Sequence, residues 1–128
     1  MNLQGNRHHH LFVVYDVAEY LNTLDQLEKL EGTCFIPSHC GASENITDLV
    51  ELNRKKVHEI AGKIYEMCSE IITFEDLLKG VFDHYGLVMN AGQYVLAGST
   101  VRSYLSYLYD SGKIAFEFID NKMYWKQK

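Results

Sequence analysis

No apolar stretch of this sequence approaches the ~20 consecutive residues that a membrane-spanning helix needs. The first ten residues are polar and lack the apolar segment of a secretory signal. Cysteine is scarce. Cys34, Cys40 and Cys68 are odd in number and far apart, which does not make a disulfide framework and points to a reducing cytoplasm. Positive charge is also in deficit: 12 Lys and Arg stand against 17 Asp and Glu, a net charge of -5. Proteins that bind nucleic acid usually carry a basic surface, because neutralising phosphate supplies much of their affinity, so this balance argues against such a partner. No glycine-rich phosphate loop is present, and no serine or cysteine nucleophile constellation is recognisable. His8, His9 and His10 are adjacent, so their side chains point in different directions and make a poor preformed metal site.

What is present reads as a folded protein. Apolar residues make up 47% of the 128 and charged residues 23%, a globular composition sufficient for one ordinary domain or two very small ones. The run Leu-Phe-Val-Val-Tyr at 11–15 has strand composition, but also suits the first turn of a helix. From Asp16 the pattern turns helical. Val17, Tyr20, Leu21, Leu24, Leu27 and Leu30 recur at steps of three and four and share one face, with Asp16 as N-cap, Glu19 completing a capping box and Gly32 as the stop. Thr-Cys-Phe-Ile at 33–36 reads as a short buried strand ending at Pro37, the only proline. Ser38, His39, Cys40 and Gly41 then form a loop at the strand's C-terminal end, where α/β folds commonly place their chemistry. A long helix follows from about Ile46 or Thr47 to Cys68, with Leu49, Val50, Val57, Ile60, Ala61, Ile64, Tyr65 and Cys68 facing the core. Arg54, Lys55 and Lys56 fall mostly off that stripe and read as solvated surface.

After Ser69 the pattern becomes more compact. Thr73 and Asp76 bracket the start of a helix running to about Tyr85, with Leu77, Leu78, Val81 and Phe82 buried and Gly86 as its stop. Asn90, Ala91 and Gly92 read as a loop. Ser99 is the expected N-cap of a third helix whose inner face is Val101, Tyr104, Leu105 and Leu108. Two alternating runs follow, at 114–118 and 122–125. Asp120 and Asn121 join them and tolerate the positive φ of a tight hairpin turn. In that hairpin Phe116 or Phe118 is expected to pack on Leu105 and Leu108. The order of three helices and a hairpin resembles a winged helix, over about 60 residues. The overall class is mostly α with a small β component (α+β).

The first half carries a second resemblance. Tyr20-Leu21, Leu24 and Leu27, followed by Phe35, Ile36, Pro37, Ser38, His39, Cys40 and Gly41, resemble the end of the metallo-β-lactamase fold. There a helix with this leucine spacing precedes a strand that ends in proline, a small residue, histidine and glycine. Cys40 departs from the pattern, because glycine is common at its position. The following helix, with residues 46–49 and 53–60, also resembles the connecting helix of members that carry a winged helix. In this family the histidine after the strand is the last metal ligand, which the resemblance places at His39. From residue chemistry alone His39 reads as a loop histidine bonded to backbone. His58 and His84 read as surface or packing residues.

The family's His-x-His-x-Asp-His motif does not occur in the chain, and the resemblance puts it, with another histidine and a bridging aspartate, before residue 1. A catalytic zinc needs about three protein ligands and an open position for water, which His39 alone does not provide.

These observations set the expectations. Residues 1–45 are the terminal helix–strand–loop of an αββα metallohydrolase, 46–68 a connecting helix, and 69–128 a winged helix. The resemblance implies a zinc-dependent hydrolase as parent, acting on an ester-like bond. No zinc and no catalysis are expected of this chain alone, and the winged helix is expected to shape the substrate opening or the oligomer. A homo-oligomer is expected through the N-terminal segment, whose apolar face would otherwise be exposed, with no membrane partner. The rival reading is a winged-helix transcriptional regulator that binds DNA. Against it, residues 69–128 carry seven Asp and Glu and six Lys and Arg, and Arg102 is the only basic residue of the expected recognition helix.

Overall fold

A computed structural model of the chain describes the backbone of residues 16–31 and 37–128, and the side chains of 16–29 and 47–128. The expected strand at 33–36 and the run at 11–15 lie outside the described residues. The described chain is mostly helical with a small antiparallel sheet. Its elements are α1 (Val17–Glu31), α2 (Pro37–Met67), α3 (Phe74–Tyr85), α4 (Ala91–Asp110), β1 (Ile114–Ile119) and β2 (Lys122–Gln127). No described helix is long and apolar enough to cross a membrane.

α1 starts where its cap predicts. The Asp16 carboxylate accepts from the backbone N–H of Glu19 at 3.0 Å, satisfying one of the donors a helix start leaves free. Val17 and Leu24 are buried, and Tyr20 and Leu21 pack on the same core. The apolar face of α1 therefore folds back on the rest of the chain instead of standing open for association, and of its described members only Leu27 stays exposed. Arg54 of α2 holds this arrangement from outside the core. Its guanidinium donates to Asp25 at 2.8 Å and Glu28 at 3.1 Å on α1, and also pairs with Glu51.

The loop expected at 38–41 is not there, because α2 runs through those positions from Pro37. Proline suits the first position of a helix. Its fixed φ is already helical, and the N–H it lacks would have had no partner at that position. The inner face of α2 is Val50, Val57, Ile60, Ala61, Ile64 and Cys68, as the spacing predicts, but Leu49 is 55% exposed and lies off it.

α3 matches its sequence signals closely. Thr73 accepts from the N–H of Asp76, and Gly86 closes the helix at φ 67°, a left-handed conformation that glycine adopts without steric cost. Leu77, Leu78, Val81 and Phe82 are its buried residues.

α4 begins eight residues before the expected cap at Ser99. Asn90 is the N-cap and accepts from the N–H of Gln93 at 2.9 Å, so Asn90, Ala91 and Gly92 form a helix start and not a loop. The hairpin is as expected. β1 and β2 pair antiparallel with Phe116 opposite Trp125 and Phe118 opposite Met123. Asp120 and Asn121 turn the chain at φ 51° and 66°.

A third strand contribution fastens the hairpin to the helices. Ile72, between α2 and α3, bridges Trp125 through two backbone hydrogen bonds of 2.9 and 2.7 Å. The N–H of Gln127 donates to the Cys68 carbonyl, and its side-chain amide donates to that of Tyr65. Ile114 is the hairpin residue that enters the core, alongside Leu105 and Leu108 in one cluster. The place expected for Phe116 or Phe118 is thus taken by the residue one step nearer the helices, because the outer half of the hairpin projects past them.

Candidate interaction surface

Two exposed apolar areas stand out, each built by an element that overhangs the core. The first is the start of α4 and the residues leading into it. Tyr94, Val95 and Leu96 are consecutive helical positions, spread over about 200° at 100° per residue, yet each is at least 40% exposed, Val95 reaching 64%. The three lie on the outer arc of α4, while Gln93 is half-buried and Ala97 buried on its inner side, and the Tyr94 hydroxyl donates to the Glu75 carboxylate of α3 at 2.5 Å. Val88 and Met89 are exposed just before it. Burial begins at Ala97 and Gly98.

The second area is one face of the hairpin. Side chains alternate faces along a strand, so Ile114, Phe116 and Phe118 share a face with their partners Gln127, Trp125 and Met123. Ile114 points into the core. The same face continues outward as an aromatic ladder in which Phe116 lies 5.6 Å from Trp125, 5.9 Å from Phe118 and 5.3 Å from Tyr109. These are ordinary edge and tilted ring contacts, but they leave Phe118 68% exposed and Phe116 38%. A cleft of about 250 Å³ separates this hairpin from α4, lined by Phe74, Arg102, Leu105, Ser106, Met123 and Trp125.

Arg102 is exposed and stacks on a neighbouring ring. Its guanidinium carbon lies 3.8 Å from the centroid of the Phe74 ring, a cation–π distance. Gly98, one turn earlier on the same side of α4, would place a Cβ 3.9 Å from that ring, so the two positions grip Phe74 together. Two other cations of this half are paired locally, Lys79 with Asp83 at 2.7 Å and Lys126 with Glu117 at 3.4 Å.

Most of the residues singled out for metal chemistry have side chains outside the described residues. The side chain of His39 lies outside the described residues, as do those of His8, His9, His10, Cys34 and Cys40. His58 is exposed, and the His84 ring meets Tyr85 edge-on at 4.7 Å. Among the described residues no three His, Cys, Asp or Glu side chains converge to hold an ion. Cys68 is buried at the end of α2, and desolvation pushes its thiol up to about 11. That is the reverse of what an activated nucleophile or thiolate ligand requires.

Residues 93–98 were assigned to no element in the sequence, so this exposed surface was not anticipated. The unbroken apolar run Tyr94, Val95 and Leu96 was the available signal, since it spans about 200° of a helix and such a wide arc is seldom buried against one neighbour. Neither a family model, nor a curated protein, nor a solved structure matches the chain.

Proposed function

We propose that residues 69–128, with the end of α2, form a winged-helix domain that works by protein contact, in the C-terminal region of a zinc-dependent metallo-β-lactamase-like hydrolase. The domain reading is supported by the order of helix, bridging residue, two helices and hairpin, with Ile72 joining the hairpin as a short third strand. Protein contact is supported by one observation above all. The outer surface of α4 exposes Val95 and Leu96, that of the hairpin exposes Phe118, and the nearby Arg102 is stacked on Phe74. A surface that reads DNA needs cations for phosphate and polar side chains for base edges. Exposed apolar surface of this kind instead marks contact with another protein.

The partner we assign is a second copy of the chain. A two-fold contact lets one self-complementary patch serve both sides, and the exposed side chains of this surface are mainly apolar. The apolar face of α1, where the sequence located association, is largely folded into the monomer. We assign the contact to α4 and the hairpin; association through residues 1–45 would use residues 1–15 and 32–36, which lie outside the described residues. The enzymatic part of the proposal rests on the resemblance around His39 and belongs to the parent hydrolase, in which zinc would assist hydrolysis of an ester-like bond. No set of described side chains fits that ion, and no chemical step is assigned to them.

Fluorescence anisotropy with a labelled random-sequence duplex, at low and at physiological salt, tests protein contact against the rival regulator. The expected result is no saturable binding at physiological salt. Saturable binding that falls steeply with salt and weakens on Arg102→Ala would support the regulator and overturn this reading.

A further inference from the structure

The cleft between α4 and the hairpin combines apolar walls with a cation held in place. Phe74, Leu105, Met123 and Trp125 give it an apolar lining, and Arg102 and Ser106 are its polar members. Those two are four residues apart on α4 and so share a face of the helix. Both are exposed, whereas Leu105 between them is buried. The polar pair therefore lies toward solvent and Leu105 toward the core.

Arg102 is positioned without being neutralised. Its guanidinium carbon sits 3.8 Å from the centroid of the Phe74 ring. Stacking of this kind uses the flat face of the guanidinium and leaves the N–H groups along its edge, a fork that matches a carboxylate with two parallel hydrogen bonds. None of the ion pairs among the described residues includes Arg102. Glu75, the acid next to Phe74, instead accepts from the Tyr94 hydroxyl at 2.5 Å. A side chain already ordered by packing loses little freedom on binding, which favours affinity. The cleft measures about 250 Å³, just below the ~300 Å³ at which pockets for drug-sized ligands begin, so it suits a single ring or a branched chain of similar size.

We propose that this cleft binds a small organic acid with an aromatic or branched apolar body. The carboxylate accepts from the edge of the Arg102 guanidinium, with the Ser106 hydroxyl as a further donor, and the body lies against Phe74, Met123 and Trp125. Charge complementarity selects the acid, because a neutral compound of the same shape gains nothing from Arg102. The apolar lining selects the body, because a bare anion leaves it in water. The site goes beyond the protein-contact reading and does not depend on it.

Phenylacetate is the probe, titrated at neutral pH into the full chain and followed by the fluorescence of Trp125, the only tryptophan. Saturation is expected with a dissociation constant on the order of 1 mM, as befits a ligand of so few atoms. Phenylacetamide keeps the shape without the charge, and acetate keeps the charge without the ring. Each should bind at least ~10-fold more weakly. Arg102→Gln should weaken phenylacetate at least ~10-fold and Ser106→Ala roughly 2- to 10-fold. Both positions are exposed, so the urea midpoints of the variants should stay near the parent's. In two-dimensional NMR the shifts should centre on Phe74, Leu105, Met123 and Trp125. No saturation at ~20-fold above the expected constant, phenylacetamide binding as well as the acid, Arg102→Gln binding as the parent does, or shifts centred on Val95 and Phe118 would each overturn the proposal.

Discussion

Truncating Leu105 to alanine should destabilise the fold by about 2–5 kcal/mol, the range for buried leucines whose surroundings relax only in part. Leu105 is 2% exposed and shares one cluster with Ile64, Leu78, Val101, Tyr104, Leu108 and Ile114, which come from α2, α3, α4 and β1. No neighbouring element can collapse into the space without loosening another, so the upper half of that range is expected. A domain of this size holds about 5–15 kcal/mol in total, and Leu105→Ala should shift the urea midpoint far to the left. Leu49→Ala is the matched control, because Leu49 is exposed on α2. It should change stability by no more than about 0.5 kcal/mol. If Leu105→Ala unfolds at the parent's midpoint, the packing of α4 against the hairpin base is wrong.

Stability should also fall between pH 9 and 11, by up to about 3 kcal/mol through Cys68 alone. The thiol is fully buried, and desolvation raises it from its ordinary 9.0 to about 11 in the folded chain. Below pH 9 the thiol is protonated in both states, and the preference of the fold for the neutral form is fully present. As pH rises from 9 to 11 the unfolded chain ionises first, and that stabilisation is lost. Above 11 both states ionise and the loss levels off. Tyr104 and Tyr85, both raised by burial, act with the same sign from above the ordinary tyrosine range near 10. Urea midpoints measured in reducing buffer across this window should decline more for the parent than for Cys68→Ala. Parallel curves would show that the thiol is not buried as described.

How much of this was legible in the sequence depended on whether the signal was local. α3 could be read to the residue, because Thr73, Asp76 and Gly86 satisfy backbone groups within a few positions of themselves. The hairpin was equally plain, since Asp120 and Asn121 tolerate the positive φ its turn requires. α4 was misplaced because its first two turns carry no stripe. Tyr94, Val95 and Leu96 face several directions, so the periodic pattern starts only near Ala97, and Ser99 looked like the cap that Asn90 is. Leu49 and Phe116 were read as core because they fall close to the register of core residues, yet Leu49 lies off the inner face of α2 and Phe116 stays 38% exposed on the hairpin.

Contacts between distant segments were not legible at all. Arg54 looked like one of three solvated cations, and its bonds to Asp25 and Glu28 depend on α1 folding back along α2. The same fold-back buries Val17 and Leu24. Of the candidate surface, only the isolation of Arg102 among the basic residues of its helix was visible beforehand, and its contact with Phe74 explains why that isolation matters.

Sedimentation equilibrium on the full chain, beside Val95→Asp and Phe118→Asp, tests the central claim most directly. Both substituted positions are highly exposed, so neither variant should lose stability, and each puts a charge in the middle of one overhanging apolar area. The account predicts that the parent associates reversibly at ~100 μM, where even a dimer with a dissociation constant of ~10 μM would dominate, and that each variant is shifted strongly toward monomer. A parent that stays monomeric at that concentration, or variants that associate as the parent does, would contradict the claim that α4 and the hairpin are a surface for a second copy of the chain.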